Sequence, residues 1–467
     1  RATATPPGQG PLREDRNPTR QEARVIEPKE FTLPEALFKT IDHFAPGFWA
    51  ALAEVKDPRH PLMIAYPLQQ ELLVAVLMSM MKVGSRRNIK YKLGRPAFVA
   101  NMLILLKRLY PKDVFADTLF HGDTLNYVLK GVNPLEIGGL RTLVIRLLLR
   151  KRCFDDFRLK GLYYPVAVDG TGALVFRDKH CDHCLQKTSN EQTIYYHPVV
   201  EAKLVLQNGL ALSVGTEFPE NEHPDVKKQD CELKAFYRLA KTLKKDFPQT
   251  RLCLLLDGLF ANSPVVKLCE HNRWGYIITL REGSLPGVFQ DYEALLKLTP
   301  ENVRVVESAE CRRTYRWIND VDFGVRTVNV FECFEETKEG NTRFVWLTGF
   351  RIDAGNVEEL SLQGGRLRWK IENEGFNAQK NGGYGLEHAF SENNVASKNF
   401  YLLMQIGHIF NQLMEKGSLL RERIRATMGS LKVFSQRLWA VMTETVIDEA
   451  RLLAILGTRI QIRFEAG

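Results

Sequence analysis

Two apolar stretches of the chain end in the same way, on an acid followed by glycine. The first is Tyr163–Val168, which leads into Asp169, and the second is Leu252–Leu256, which leads into Asp257. Runs of this length and composition predict buried strands, and a carboxylate in the middle of such a strand is costly. We therefore predict that the two acids lie at the exposed ends of two strands.

A third acid lies in Arg368–Phe376, where charged and apolar residues alternate at roughly helical spacing. Hard cations such as Mg²⁺ take oxygen ligands, so three convergent acids suit metal-assisted phosphoryl transfer. We predict that Asp169, Asp257 and Glu372 converge on Mg²⁺ or Mn²⁺. Glu374 is the competing candidate for the third acid, and an acid-glycine step taken alone is also ordinary turn chemistry.

Apolar residues three and four apart predict helices at both ends of the chain. The pattern is clear in Leu72–Met81, Phe98–Leu109 and Leu140–Leu149, and it returns after residue 396 in Phe400–Met414 and Leu419–Ile455. The sequence of the C-terminal region is equally consistent with dimerisation and with DNA binding.

Alternating stretches predict strands in the middle of the chain. Tyr195–Leu206 and Leu210–Phe218 are separated by Asn208-Gly209, a strong hairpin signal, and Cys231–Phe247 then reads as a helix. Val303–Phe350 is rich in β-branched and aromatic residues with turn signals, which predicts a β-rich segment.

In the order of these acids and their neighbours, the sequence resembles the DDE transposases of insertion sequences, in particular the group named after insertion sequence 4. The resemblance runs over Tyr163–His388. The last motif of that group is tyrosine, two residues, arginine, three residues, glutamate, six residues and lysine. Arg368 and Glu372 fit this spacing, which favours Glu372 over Glu374. Gly365 stands at the tyrosine position, and Gln379 stands at the lysine position with Lys380 next to it.

The resemblance implies an α/β fold with a ribonuclease-H-like mixed-sheet core, a β-rich insertion and flanking α-helical regions. It implies Mg²⁺ or Mn²⁺ at the three acids, and cleavage at transposon ends followed by strand transfer, with hairpin ends as one route. Arg368 and Lys380 would position phosphates. The partner would be double-stranded DNA, and Trp369 and Trp346 would stack on an unpaired base at its broken end, although a buried core tryptophan is the blander interpretation of Trp346. A homodimer on paired ends is the natural assembly.

Composition agrees with a partner that carries many negative charges. The 467 residues are 45% apolar and 25% charged, as in ordinary globular proteins, and the formal charge is +9. A sequence pI near 9.0 favours a polyanion such as DNA. No apolar run is long enough to span a membrane and no signal-like segment opens the chain, so we expect a cytoplasmic, nucleoid-associated protein of a prokaryote.

One basic stretch lies between two of the predicted helices. Lys82–Lys92 holds five cations and no acid, among them Arg86, Arg87, Lys90 and Lys92. A basic loop in this place predicts phosphate contacts with DNA. A solvated run of charge is the alternative.

Cysteine and histidine concentrate after the first acid. Cys181 and Cys184 have the spacing of half a zinc site, which needs two further ligands. We predict a structural Zn²⁺ held by these two and by a pair drawn from four residues, with His197 and Cys231 preferred: His180, His183, His197 and Cys231. The alternative is a reduced hairpin tip in a cytosolic protein.

The predicted organisation begins with a flexible arm at 1–30, because this stretch has few apolar groups. Next come a helical DNA-binding or dimerisation domain at 31–157 and the first part of the catalytic core at 158–300. The β-rich insertion at 301–355, the last part of the core at 356–395 and a helical C-terminal region at 396–467 follow. Two alternatives to a transposase stay open: a catalytically idle DNA-binding descendant, and a metal-dependent nuclease without strand transfer.

Overall fold

The protein is built around a large mixed sheet. We describe residues 26–189, 192–223, 226 and 228–465 of a computed structural model, so most of the predicted N-terminal arm lies outside the described residues. The described strands are β1 (Tyr164–Phe176), β2 (Leu185–Ser189), β3 (Gln192–Val205), β4 (Ala211–Glu217), β5 (Leu252–Leu256), β6 (Gly275–Thr279), β7 (Val303–Glu307), β8 (Cys311–Phe323), β9 (Arg326–Thr337) and β10 (Gly340–Thr348).

The strand order along the sheet is β2-β3-β1-β5-β6-β10-β9-β8-β7, and β4 also pairs with β3. β1, β5 and β6 run parallel, whereas β3 is antiparallel to both β1 and β4. The hairpin signal is confirmed: β3 and β4 flank Asn208-Gly209, and Gly209 has φ 88°, a conformation that glycine adopts without steric cost.

The predicted β-rich segment is present, and it continues the central sheet. β10 pairs antiparallel with β6 through Trp346–Thr348, and β9, β8 and β7 follow in order. The residues assigned to an insertion thus extend one hydrogen-bonded ladder rather than forming a separate sheet.

Helices precede the sheet as the periodicity predicted. They are α1 (Leu33–Phe44), α2 (Phe48–Ala53), α3 (Leu68–Met80), α4 (Pro96–Leu109), α5 (Gly122–Leu129) and α6 (Pro134–Arg150). A capping box starts α1, in which the Glu35 carboxylate accepts from Thr32 N at 2.7 Å and the Thr32 hydroxyl accepts from Glu35 N.

The remaining helices alternate with the strands or follow them. They are α7 (Glu232–Asp246), α8 (Ser263–Asn272), α9 (Pro286–Leu296), α10 (Val357–Leu362), α11 (Ala378–Asn381), α12 (Asn394–Lys416), α13 (Arg421–Thr427), α14 (Leu431–Glu444) and α15 (Glu449–Gly457). Before α11, a 3₁₀ turn at Gly365–Trp369 and a π-helical stretch at Ile371–Asn377 form one nearly continuous helical segment. We call residues 365–381 the catalytic-side helix.

The helices from the two ends of the chain pack together, although the sequence predicted two separate regions. α12 packs on α3, α5 and α6, while α14 and α15 pack on α4 and α1. The Asn399 amide in α12 donates to the carbonyls of Leu129 and Val132, at 2.9 and 2.7 Å. Within the described ranges, no helix is long and apolar enough to cross a membrane.

Candidate active site

Asp169 lies on β1, and Asp257 directly follows β5, the neighbouring parallel strand. The parallel register pairs Val166 with Leu254 and Ala167 with Leu255. Asp169 and Asp257 each follow the last of these pairs by two residues, so they come at equivalent positions along the two neighbouring segments. Because side chains alternate with a period of two and adjacent strands are about 4.8 Å apart, both carboxylates point to the same face.

The predicted position at a strand end is correct for Asp257 and wrong for Asp169. Asp257 follows β5 directly and caps the next turn, accepting from Leu259 N at 2.8 Å. Asp169 lies in the middle of β1, because the pairing with β3 continues beyond it to Phe176. The glycines after this acid form part of the ladder, with a bulge between Gly172 and Leu174, and they do not end the strand.

The catalytic-side helix brings Glu372 to this pair. The Glu372 carboxyl group lies close enough to the Asp169 carboxyl group to raise its pKa. Glu374, two positions further on, instead accepts from Lys370 Nζ at 2.9 Å. The structure thus brings Glu372, and not Glu374, beside Asp169.

A fourth acid, Glu232, completes the group and was not predicted. It is the first residue of α7, and its carboxylate packs against Gly170, whose N–H donates to Asp169 Oδ1 at 2.9 Å. A Cβ on Gly170 would lie 2.9 Å from Glu232 Cδ, so only glycine leaves room for this carboxylate. Acids are common in the first turn of any helix, so the sequence alone does not distinguish an acid of this cluster from an ordinary helix-starting acid at this position. We call Asp169, Asp257, Glu372 and Glu232 the acid cluster.

The acid cluster is poor in positive charge. Burial, followed by the neighbouring carboxyl group of Glu372, raises the pKa of Asp169 to about 7, against the opposing effect of Arg368. Burial, followed by the charge of Asp257, raises the pKa of Glu232. A divalent cation bound at these carboxylates would add compensating positive charge. Among the described residues, however, no three of the acids bring their oxygens within 4.8 Å of one another.

Arg368 is part of the acid cluster's surroundings. Its Nη1 donates to Asp169 Oδ2 at 3.2 Å, and its guanidinium lies 4.7 Å from the ring centre of Trp369. Arg368 is 6% exposed, and the guanidinium predicted to position phosphates is hydrogen-bonded to Asp169. Trp369 is 45% exposed and remains accessible beside the site.

The structure places Trp346 in the core, as the alternative interpretation of this residue expected. Trp346 is 3% exposed and packs between Phe331 and Phe344, with ring centroids 5.1 and 5.8 Å away. A Cβ on Gly365 would lie 2.3 Å from the Trp346 indole. The glycine at the motif's tyrosine position thus allows the catalytic-side helix to approach this tryptophan closely.

The two candidates for the motif's lysine differ in their surroundings. Gln379 is buried and hydrogen-bonds Gln405 and His408, both at 2.8 Å. Lys380 is half-buried and forms an ion pair with Glu387 at 3.0 Å. Only Lys380 keeps a charge near the surface.

The basic stretch folds into a short helical turn. Ile89–Leu93 is π-helical, and Arg87, Lys90 and Lys92 are exposed. Arg86 is partly buried and lies 3.5 Å from Asp123. Arg86 and Arg87 line one wall of a cleft whose opposite wall is 388–393, the segment between the catalytic-side helix and α12.

The cysteines and histidines after β1 form a tight group, which differs in one member from the preferred prediction. His180, Cys181, Cys184 and His197 present ligand atoms that all lie within 4.8 Å of one another. Cys231 is exposed and precedes α7, so it is outside the group, and His180 joins instead.

No family model matches this sequence, and neither does any curated protein. Among solved structures, the chain is similar to piggyBac transposase in its cryo-EM synaptic complex with hairpin DNA. The two chains share 10% sequence identity and have a TM-score of 0.38, over 91% of this chain and 86% of the other. A similarity of this size does not establish a fold family.

Proposed function

We propose that the protein is a DNA transposase that cleaves phosphodiester bonds with a divalent metal ion and transfers the freed strand. The observation that carries this proposal is the placement of three acids in one region: Asp169 on β1, Asp257 directly after the neighbouring parallel strand β5, and Glu372 beside Asp169. The strand order β4-β3-β1-β5-β6, with β3 antiparallel to its neighbours, supports a ribonuclease-H-like core.

Asp169, Asp257 and Glu372 would hold Mg²⁺ or Mn²⁺, with Glu232 adjacent. When bound, such ions activate the attacking oxygen and stabilise the leaving one. In the first step, the oxygen of water bonds to phosphorus, the bond to the 3′ oxygen breaks, and that oxygen leaves as a hydroxyl. In the second step, this 3′-hydroxyl attacks a phosphodiester of the target strand in the same way.

The chain's other residues would bind and place the DNA. Arg368 holds Asp169 in one orientation, and the exposed Trp369 offers a ring on which an unpaired base could stack, worth about 1–3 kcal/mol. Arg86, Arg87, Lys90, Lys92 and Lys380 are the cations proposed to contact phosphates. Each DNA end requires a catalytic core, so a homodimer on paired ends follows from the proposal.

The decisive experiment is cleavage and strand transfer on DNA carrying the sequences that flank the coding region. We expect Asp169→Asn, Asp257→Asn and Glu372→Gln each to lower both rates by more than about a thousandfold, because the metal loses a ligand. Glu374→Gln is the matched control, since it lies on the same helical segment and pairs with Lys370 instead. DNA binding should persist in all four variants.

Equal loss in Glu374→Gln, or full activity in Glu372→Gln, would overturn the assignment of the third acid. Cleaved products without joined ones would reduce the proposal to a nuclease.

A DNA-binding descendant without catalysis is the second candidate, and two observations favour it. The Arg368 guanidinium already occupies Asp169 Oδ2, and the acid oxygens are not gathered to a common point. Wild-type protein that binds DNA but shows no cleavage with Mg²⁺ or Mn²⁺, and no Mn²⁺ binding by calorimetry, would establish this alternative.

A further inference from the structure

Four potential ligands meet at the far end of the β1–β3 ribbon from the acid cluster. His180, Cys181 and Cys184 lie in the loop between β1 and β2, and His197 lies on β3 opposite Leu174. Cys184 is buried and the other three are half-buried. The group therefore joins a loop to a strand within the sheet.

The distances between these ligand atoms match a tetrahedral zinc site. Zn–S bonds of about 2.3 Å and Zn–N bonds of about 2.0 Å give tetrahedral edges of about 3.8 Å between sulfurs and about 3.5 Å between sulfur and nitrogen. The two sulfurs are 3.5 Å apart, and His197 Nε2 lies 3.3 Å from Cys181 Sγ and 3.4 Å from Cys184 Sγ. His180 Nδ1 lies 3.1 Å from Cys184 Sγ.

A disulfide does not explain this arrangement. The sulfur–sulfur distance of 3.5 Å is far above the roughly 2.05 Å of a disulfide bond, and both cysteines are free. A disulfide would also leave the two imidazoles, which approach the sulfurs from different elements, without a role.

The surrounding residues hold the ligands in place. Asn221 donates from its amide to Cys184 O at 2.9 Å and from its backbone to His183 O at 3.2 Å. The ring of Phe176 packs on His180 with centroids 3.9 Å apart. His183 Nδ1 lies 2.9 Å from Asn221 O. This nitrogen therefore contacts Asn221 and does not belong to the four ligand atoms. Support of this kind around the ligands is typical of metal sites.

We propose that His180, Cys181, Cys184 and His197 bind one Zn²⁺ as a structural Cys₂His₂ site. Four protein ligands close the tetrahedron and leave no position for water or substrate, which assigns the ion a structural rather than a catalytic role. This site shares no residue with the acid cluster, so it stands or falls independently of the proposed transposase activity.

The zinc would fix the distal half of the strand that carries Asp169. His197 pairs with Leu174, five residues beyond Asp169, a separation on the order of 17 Å along the strand. The bulge between Gly172 and Leu174 interrupts the ladder in between. A metal that ties the loop to β3 would hold the ribbon together where its own hydrogen bonds are irregular.

Metal analysis of the purified full-length chain tests the proposal. We expect about one zinc ion per chain in the wild type and less than a tenth of that in Cys184→Ser and His197→Ala. Cys231→Ser is the matched control, because Cys231 is a nearby exposed cysteine outside the group, and it should keep its zinc. The amides of 174–188 should exchange hydrogen faster once a chelator removes the metal.

Cobalt substitution of the wild type decides the question even if the variants fail to fold. Co²⁺ in this site should give intense visible d–d bands and a thiolate charge-transfer band, as expected for a tetrahedral ion with two sulfur ligands. The proposal is overturned if wild type grown with zinc contains almost none and shows no tetrahedral Co²⁺ spectrum. It is also overturned if Cys184→Ser keeps full zinc content.

Discussion

Lys203 is buried within the sheet, on the strand next to the one that carries Asp169. Its ammonium donates to Gln405 Oε1 at 2.9 Å and lies 3.9 Å from Glu201, and its stem packs against Gly375 of the catalytic-side helix. Alternation along β3 predicted a strand, but it did not predict that two charged side chains would both be buried. Their burial depends on α12, some 200 residues later, which no local pattern can show.

We predict that wild-type stability rises with pH relative to Lys203→Met. Burial lowers the pKa of Lys203 from 10.5 to about 8, partly offset by Glu201, while Arg141 opposes the charge and the neutral His408 lies nearby. At pH values between these two pKa values of Lys203, the unfolded chain binds more protons than the folded chain, so the free energy of unfolding increases with pH. The free energy of unfolding of the wild type minus that of Lys203→Met should increase by about 2 kcal/mol from pH 7 to pH 9.5.

Urea unfolding at both pH values measures this difference. Lys241→Met, which removes an exposed lysine from α7, is the control and should show no such trend. A difference for Lys203→Met that stays constant with pH would mean that Lys203 keeps an ordinary pKa in the fold.

At the level of elements, hydrophobic periodicity predicted several of the strands and helices and the place of one acid, Asp257. β5 ends at Asp257 as expected, and the hairpin of β3 and β4 turns where Asn208-Gly209 indicated. The length of β1 was missed because glycines usually end strands, whereas here β3 supplies partners through Phe176. The π-helical turn that presents Glu372 was missed as well, since π and α turns have the same apolar spacing over so short a stretch.

We predict that Gly365→Ala is destabilising by about 1–3 kcal/mol, because its Cβ would overlap the Trp346 indole. Trp346 is held between two phenylalanines and cannot move aside without disturbing β9 and β10. The helix would shift instead, and Arg368 and Glu372 would move with it, so activity should fall too.

Gly287→Ala is the matched control for chemical denaturation. Gly287 lies exposed in α9 with no atom within 4 Å of an added Cβ, and alanine there should be neutral or stabilising by up to about 1 kcal/mol. If Gly365→Ala unfolds at the same denaturant concentration as Gly287→Ala, the close contact with Trp346 is not required for the fold.

On the scale of the whole molecule, the two ends of the chain build one helical body beside the sheet. The Asn101 amide donates to the carbonyls of Met442 and Thr445, at 2.9 and 2.8 Å. Local periodicity does not report contacts between residues more than 340 positions apart. The sequence therefore predicted two helical regions but not that they pack together. The same packing places the basic turn of Arg86 and Arg87 across a cleft from 388–393.

We predict that this turn carries a measurable share of DNA binding through its charge. Each phosphate neutralised by a cation contributes about 0.9 to the slope of log affinity against log salt. Arg87 and Lys90 are exposed, and no acid lies within the basic stretch to neutralise them. The double variant Arg87→Ala/Lys90→Ala should therefore weaken binding to any duplex and reduce the salt slope by about 2.

Lys112→Ala/Lys297→Ala removes the same charge from exposed positions, one beyond the far end of α4 and one at the end of α9. Because net charge acts at long range but phosphate contacts act locally, this control should change affinity modestly and leave the slope nearly unaltered. Fluorescence anisotropy over a series of salt concentrations distinguishes the two effects. Equal slopes for both double variants would show that the basic turn acts only through net charge and that the duplex lies elsewhere on the protein.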